Sequence, residues 1–321
     1  MCDNDSFDDL VVYRLRPELL SRRGFGSLSL SAGLASLLPI GCKSADPAPG
    51  PVPAPTAAAS GAAIARTASA ANAVAATESE VSIMTPDGAC DACFVHPTTG
   101  TAPAVLIWPD IFGLRPAFRQ MGKRLAESGY AVLVVNPFYR TKRAPTSSPH
   151  AAFEDPATRE ALMALAHSLT PETEVTDAKA LTAWLDQQPS VDRSRKMGTV
   201  GFCMGGPLVL RTAATNPERI GAAATFHGGG LVTDKPDSPH LLIPKMRAHF
   251  LIAIAANDDA KQPGAKETLK AAFAQASLPA NVEVYEGTMH GWCPPDSQVY
   301  NRDAAEKAWG ELLVLFKSAL G

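Results

Sequence analysis

The sequence predicts a three-layer α/β domain, a mostly parallel central sheet flanked by helices. Three observations carry this. Short apolar runs such as Ala104–Trp108 and Ala131–Val135 lack the polar alternation of a half-exposed strand, so both faces of each must be covered. These runs alternate along the chain with amphipathic stretches of helical period, which requires crossover connections between parallel strands. The pattern is sustained over residues 80–321 with no internal linker, so one domain accounts for it.

Taken in order, Val81-Ser82-Ile83-Met84 and Cys93-Phe94-Val95 flank the turn signal Pro86-Asp87-Gly88 and predict a hairpin. Strand Ala104–Trp108 precedes a helical pattern from Arg115 to Ser128, which Gly129 stops. Strand Ala131–Val135 ends at Asn136-Pro137, and helices are expected near 155–168 and 172–188. Met197 to Phe202 is a short strand before a helix near 204–215. Strands at Ala222–Phe226, Phe250–Ala255 and Val282–Tyr285 follow, and a helix from Val299 to Ala319 closes the chain. Cys90 and Cys93 are three apart on a strand and so face opposite sides, which argues against a local disulfide or metal pair.

The averages of the 321-residue chain conceal an uneven distribution. Hydrophobic residues make up 46% and charged residues 19%, mean hydropathy is −0.01, the net charge is −3 and the isoelectric point is about 6.2. These values exclude a polytopic membrane protein and a basic nucleic-acid footprint. Between Ala45 and Ala76, however, 15 residues are Ala and 5 are Pro. Such a stretch buries too little apolar area to offset its ordering entropy, so residues 43–79 are expected to form a disordered linker. Ahead of it, Arg22-Arg23 precedes an uncharged run from Gly24 to Gly41 that resembles a twin-arginine export signal. The run is too rich in Gly and Ser, and too short, for a stable transmembrane helix. Leu38-Pro39-Ile40-Gly41-Cys42 resembles a lipoprotein box in which Cys42 is acylated, with Pro39 where leucine is usual. Residues 1–42 are therefore read as an export signal, and the protein as periplasmic or anchored to the periplasmic side of a membrane. The acidic first 20 residues keep open a cytoplasmic protein with a chance Arg-Arg pair.

The segment Gly198-Thr199-Val200-Gly201-Phe202-Cys203-Met204-Gly205-Gly206 carries the clearest chemistry. A strand enters, glycines flank Cys203 two residues to either side, and a helix leaves. This is the G-x-S-x-G nucleophile elbow with cysteine in place of serine. Its sharp turn brings backbones so close that no Cβ fits, and the helix N-terminus favours negative charge on sulfur and on an adjacent oxyanion. The pattern has neither the spacing of a dinucleotide loop nor the Lys-Ser/Thr of a phosphate loop. A thiol needs a base and the base an orienting carboxylate, in the chain order nucleophile, acid, histidine. Asn257-Asp258-Asp259 follows one strand and His290 the next, in that order. Asp258 is preferred to Asp259 because it leaves the strand first. His290 is preferred as base to His227, in Phe226-His227-Gly228-Gly229-Gly230, which is read as a cleft-lining residue or a loop hydrogen-bonder.

With this elbow, this order and the segment Trp108-Pro109-Asp110-Ile111-Phe112-Gly113-Leu114, residues 80–321 resemble the dienelactone hydrolase family of α/β-hydrolases. The resemblance implies an α/β-hydrolase fold and hydrolysis of carboxylic esters or lactones through a Cys203-Asp258-His290 triad and a thioester intermediate. It implies that Asp110, standing where the family usually has glutamate, contacts Cys203 and helps deprotonate it. The oxyanion hole would be the backbone N–H groups of Ile111 and Met204. No metal or organic cofactor is called for. Family members acting on dienelactone hold its carboxylate with arginines, one shortly after the histidine; here His290-Gly291-Trp292-Cys293-Pro294-Pro295 has none, which argues against dienelactone itself. Trp108, Phe112, Tyr139, His227 and Trp292 are candidates for an apolar pocket, and Arg115 and Arg140 for holding an acidic group. Cys293 is a candidate to approach Cys203. A monomer acting on a small molecule, with no nucleic-acid partner, is expected.

Two other classes compete. A non-catalytic binding module on the same fold would show a broken constellation, yet every required residue type is present. A thiol redox protein using Cys203 would want a C-x-x-C context, which Cys203 lacks. The export signal predicts that full-length protein fractionates with the periplasm or the membrane; purely cytoplasmic protein would contradict it.

Overall fold

The computed structural model describes residues 73–321, so the expected export signal at 1–42 and the linker up to residue 72 lie outside the described residues. Eight strands are formed: β1 (Ala76–Thr85), β2 (Gly88–Pro97), β3 (Ala104–Trp108), β4 (Ala131–Val135), β5 (Met197–Phe202), β6 (Ile220–Phe226), β7 (His249–Ala255) and β8 (Ala280–Tyr285). They make one sheet in the order β1-β2-β4-β3-β5-β6-β7-β8. The β1–β2 hairpin and the β2–β4 pairing are antiparallel, and the pairings from β4 through β3 and β5 to β8 are parallel. β1 begins at Ala76, inside the range assigned to the linker. Its first residues pair with β2 through the backbone while their side chains stay largely exposed, so no apolar face marks them in the sequence.

Helix α1 (Pro116–Ala126) follows β3, α2 (Pro156–His167) and α3 (Pro171–Leu185) join β4 to β5, and α4 (Gly205–Thr215) follows β5. α5 (Ala256–Lys261) and α6 (Pro263–Gln275) join β7 to β8, and α7 (Arg302–Leu320) ends the chain. One face of the sheet buries Val105, Ile107, Val132 and Val134 against Phe118 of α1 and Leu312 and Phe316 of α7. The other buries Leu106 and Leu133 against Leu165, Leu181, Leu208 and Phe273 from α2, α3, α4 and α6. This is a three-layer α/β-hydrolase fold, and each fully buried side chain of this size contributes roughly 1.5–3 kcal/mol. Cys90 and Cys93 fall in opposite layers as free thiols. No described helix is long and apolar enough to cross a membrane.

Two features of this order position the site. β3 has β4 on one side and β5 on the other, so the connections leaving β3 and β5 diverge. Open α/β sheets bind ligands at such a switch point, beyond the carboxyl ends of the strands. Trp108, the last residue of β3, pairs with Gly201 of β5, which sets the loop beginning at Pro109 beside Cys203.

Candidate active site

Cys203 leaves β5 at φ +53, a region that residues with a Cβ seldom occupy. Its N–H donates to the Phe226 carbonyl at 3.1 Å, and its carbonyl accepts from the N–H groups of Gly206 and Gly229 at 3.0 and 3.3 Å. The glycines on either side have a steric reason. A Cβ on Gly201 would strike the Gly205 carbonyl, and one on Gly205 would strike the carbonyls of Trp108 and Pro109. α4 starts at once, with Met204 at its N-cap and no side-chain cap. The first N–H groups of a helix have no partner within it. Among the described residues the N–H groups of Met204 and Ile111 make no backbone hydrogen bond.

His290 lies beyond β8 and is 1% exposed. Its N–H donates to Asn257 Oδ1 at 2.8 Å, and its Nδ1 lies 3.0 and 2.9 Å from the two carboxylate oxygens of Asp258. Asp259 instead accepts from Lys266 Nζ at 2.8 Å. α5 causes this division, because consecutive residues on a helix point in different directions. Burial pushes the His290 pKa down, but the Asp258 carboxylate and then Cys203 outweigh it, and the imidazole is held well above the usual histidine range. His290 Nε2 has no partner within ordinary hydrogen-bond limits among the described residues. Catalytic pairs are often loose at rest and tighten around the reacting group.

His227 is fully buried at φ +42, its ring centroid 5.1 Å from that of His290. Burial, then the neighbouring His290, hold its pKa well below the usual range. It packs between Phe202 and Trp292 rather than lining an open cleft.

Asp110, also fully buried, follows β3. Its Oδ1 accepts from the Phe112 N–H at 3.0 Å and from Arg115 Nη1 at 2.6 Å, and its Oδ2 accepts from Arg115 Nη2 at 2.9 Å. The resemblance implies a contact with Cys203; the contacts described for the two oxygens are with the Phe112 N–H and with Arg115. Arg140 is likewise engaged, by Asp87 and Asp177. The two arginines expected to hold an acidic substrate group thus hold internal carboxylates.

A cavity of about 390 Å³ opens beside His290, lined by residues 228–234 together with Ile254, Asp258, Gln262 and Leu269. None of the five expected pocket residues lines it. Trp108 donates Nε1 to Thr212 at 3.1 Å, Tyr139 shares its hydroxyl with Asp177 and Thr85 at 2.7 Å, and Trp292 stacks on Tyr285 at 4.7 Å. With Phe112 and His227 they are all 8% exposed or less. The glycine run at 228–230 borders the cavity instead. Cys293 is a buried free thiol in the layer of α1 and α7, whereas Cys203 packs in the opposite layer. Among the described residues no three or more His, Cys, Asp or Glu side chains are grouped to hold a metal ion.

Asp258→Asn should lower turnover by about 10⁴-fold, the scale for an orienting carboxylate, and Asp259→Asn by less than about threefold. A larger loss at Asp259 would reverse the assignment. In an NMR titration His290 should protonate above the ordinary value of about 6.5, and Asp258→Asn should move it down. The sign follows for stability. His290's contribution is fully present below that ordinary value and is lost as pH rises through the raised one.

A profile of the Dienelactone hydrolase family matches residues 90–320. Carboxymethylenebutenolidase 2 of Cupriavidus pinatubonensis is 31% identical over 211 residues, 64% of this chain and 80% of its own. The carboxymethylenebutenolidase of Rhodococcus opacus is 26% identical over 195 residues, 60% of this chain and 71% of its own. The crystal structure of the dienelactone hydrolase of Anabaena variabilis aligns with a TM-score of 0.56 at 17% identity, over 77% of this chain and 99% of that one, a likeness of fold. The chain belongs to the dienelactone hydrolase family and is a hydrolase of that type.

Proposed function

We propose that this protein hydrolyses carboxylic esters or lactones through a Cys203-Asp258-His290 triad and a thioester acyl-enzyme. One observation carries the reading: Asp258 holds His290 Nδ1 in the neighbourhood of a cysteine turned to φ +53 at a helix start. His290 holds the proton given up by the thiol, and Cys203 sulfur attacks the carbonyl carbon. The oxyanion accepts hydrogen bonds from the N–H groups of Ile111 and Met204, each worth roughly 3 kcal/mol of barrier. The C–O bond then breaks, and the leaving oxygen takes the proton from His290. Water, deprotonated by His290, cleaves the thioester and returns Cys203 to the thiol. Asp258 fixes the tautomer that makes both transfers possible.

The names of the curated relatives support a lactone or ester as the substrate class. The arginine-free loop after His290, and the internal pairing of Arg115 and Arg140, favour a substrate without a carboxylate to anchor. We further infer that residues 76–321 form the catalytic domain, acting as a monomer without nucleic-acid partners. A signal at 1–42 and a tether from residue 43 to the start of β1 would place it on the periplasmic side, through Cys42 if that residue is acylated.

With the full-length protein, Cys203→Ala and His290→Ala should each reduce p-nitrophenyl acetate hydrolysis by at least about 10³-fold. Turnover unchanged in Cys203→Ala would overturn the nucleophile assignment.

A further inference from the structure

The triad leaves one buried charge cluster without a role. Arg115, 5% exposed, sits at the N-cap of α1. One side of its guanidinium holds Asp110. The other holds Asp296, with Nε to Oδ2 at 2.7 Å and Nη2 to Oδ1 at 3.0 Å. Both carboxylates are essentially inaccessible, and the cation lies over the rings of Phe112 and Phe118 at 5.5 and 4.8 Å. Forked pairs of this kind fix geometry in two directions, and removing the arginine would leave two buried carboxylates without the cation they share. The cluster therefore acts as a unit.

Its position in the chain says what it joins. Asp110 belongs to the loop after β3, which carries Ile111. Asp296 belongs to the loop that runs from His290 to α7. The first loop is fixed from its far side as well, because the Phe112 carbonyl accepts from the hydroxyls of Thr146 and Ser147 at 3.0 and 3.1 Å. Gly113 turns there at φ +74, where a Cβ would meet the Thr146 side chain. No comparable second arginine contact crosses from the β3 loop to the His290 loop among the described residues.

We propose that Arg115, gripped between Asp110 and Asp296, is a positioning residue that registers the Ile111 N–H against the His290 loop, and that Asp110 serves this grip rather than acting as base for Cys203. A base must present a lone pair to the thiol and be free to take its proton. Asp110 accepts from the Phe112 N–H and from both terminal nitrogens of Arg115, and turning it away would strip one side of a buried cation. Protonating it would remove the charge that makes the grip strong. The proposal rests on Ile111 being an oxyanion donor, as in the function proposed above.

Two rates separate the roles in the full-length protein. Alkylation of Cys203 by iodoacetamide requires the thiolate but develops no oxyanion, whereas p-nitrophenyl acetate hydrolysis requires both. Asp296→Asn leaves Arg115 paired with Asp110, so the fold should survive, which a melting curve checks. It should lower kcat by at least about tenfold with KM within about twofold, while alkylation stays within about threefold of wild type. Asp296→Glu should recover part of kcat, and Arg115→Lys, which lacks the planar fork, should not. Asp110→Asn decides between the roles: a positioning role slows hydrolysis alone, a base role slows alkylation equally. Wild-type kcat in Asp296→Asn, or parallel loss of both rates in Asp110→Asn, overturns the proposal. Cys203→Ala serves as control. If it still hydrolyses the ester, the proposed function itself fails, independently of the grip.

Discussion

No side chain fits where α4 passes the end of β3. A Cβ on Gly205 would strike the carbonyls of Trp108 and Pro109, and one on Gly201 would strike Gly205 itself. This contact sets the angle at which the chain leaves β5, and with it the left-handed backbone of Cys203. It also brings the first N–H groups of α4 beside the loop carrying Ile111. The sheet order supplies the rest: β3 lies between β4 and β5, so the two loops meet at the switch point of the sheet rather than at an edge.

Around that contact the site is arranged by opposed electrostatic effects. Burial disfavours a charged His290, while Asp258 and Cys203 favour it, and the favourable effects win. The same burial acts on His227 without a carboxylate partner, and the result is a neutral ring packed against the back of His290. Two histidines 5.1 Å apart thus have opposite proton affinities, set by whether Asp258 reaches them. The loops are held by arginine–carboxylate forks: Arg115 with Asp110 and Asp296, and Arg140 with Asp87 and Asp177. Such pairs add little net stability when buried, but they specify which loop meets which.

The strands and their mostly parallel arrangement are legible because fully buried strands leave uninterrupted apolar runs, and the elbow because its glycines answer a steric need within five residues. What stayed hidden has physical reasons. The first residues of β1 pair through backbone alone and carry no apolar signature. α5 and α6 were not foreseen: Asn257-Asp258-Asp259 resembles a turn, and α6 buries only Leu269 and Phe273, too few to set a period. The aromatic residues near strand ends are packed and do not line the cavity beside His290; the same residue types serve packing and binding, so composition does not separate the two. A cavity bounded by glycine leaves almost nothing to read. The Arg115–Asp296 contact spans 181 positions and has no local signal at all.

The central claim is that the acyl group passes through the sulfur of Cys203. Its most direct test is mass spectrometry of enzyme quenched in acid during p-nitrophenyl ester turnover, followed by peptide mapping. The account predicts an acyl adduct on the peptide containing Cys203, removed by neutral hydroxylamine as a thioester is. An adduct carried by any other side chain during full turnover would contradict it.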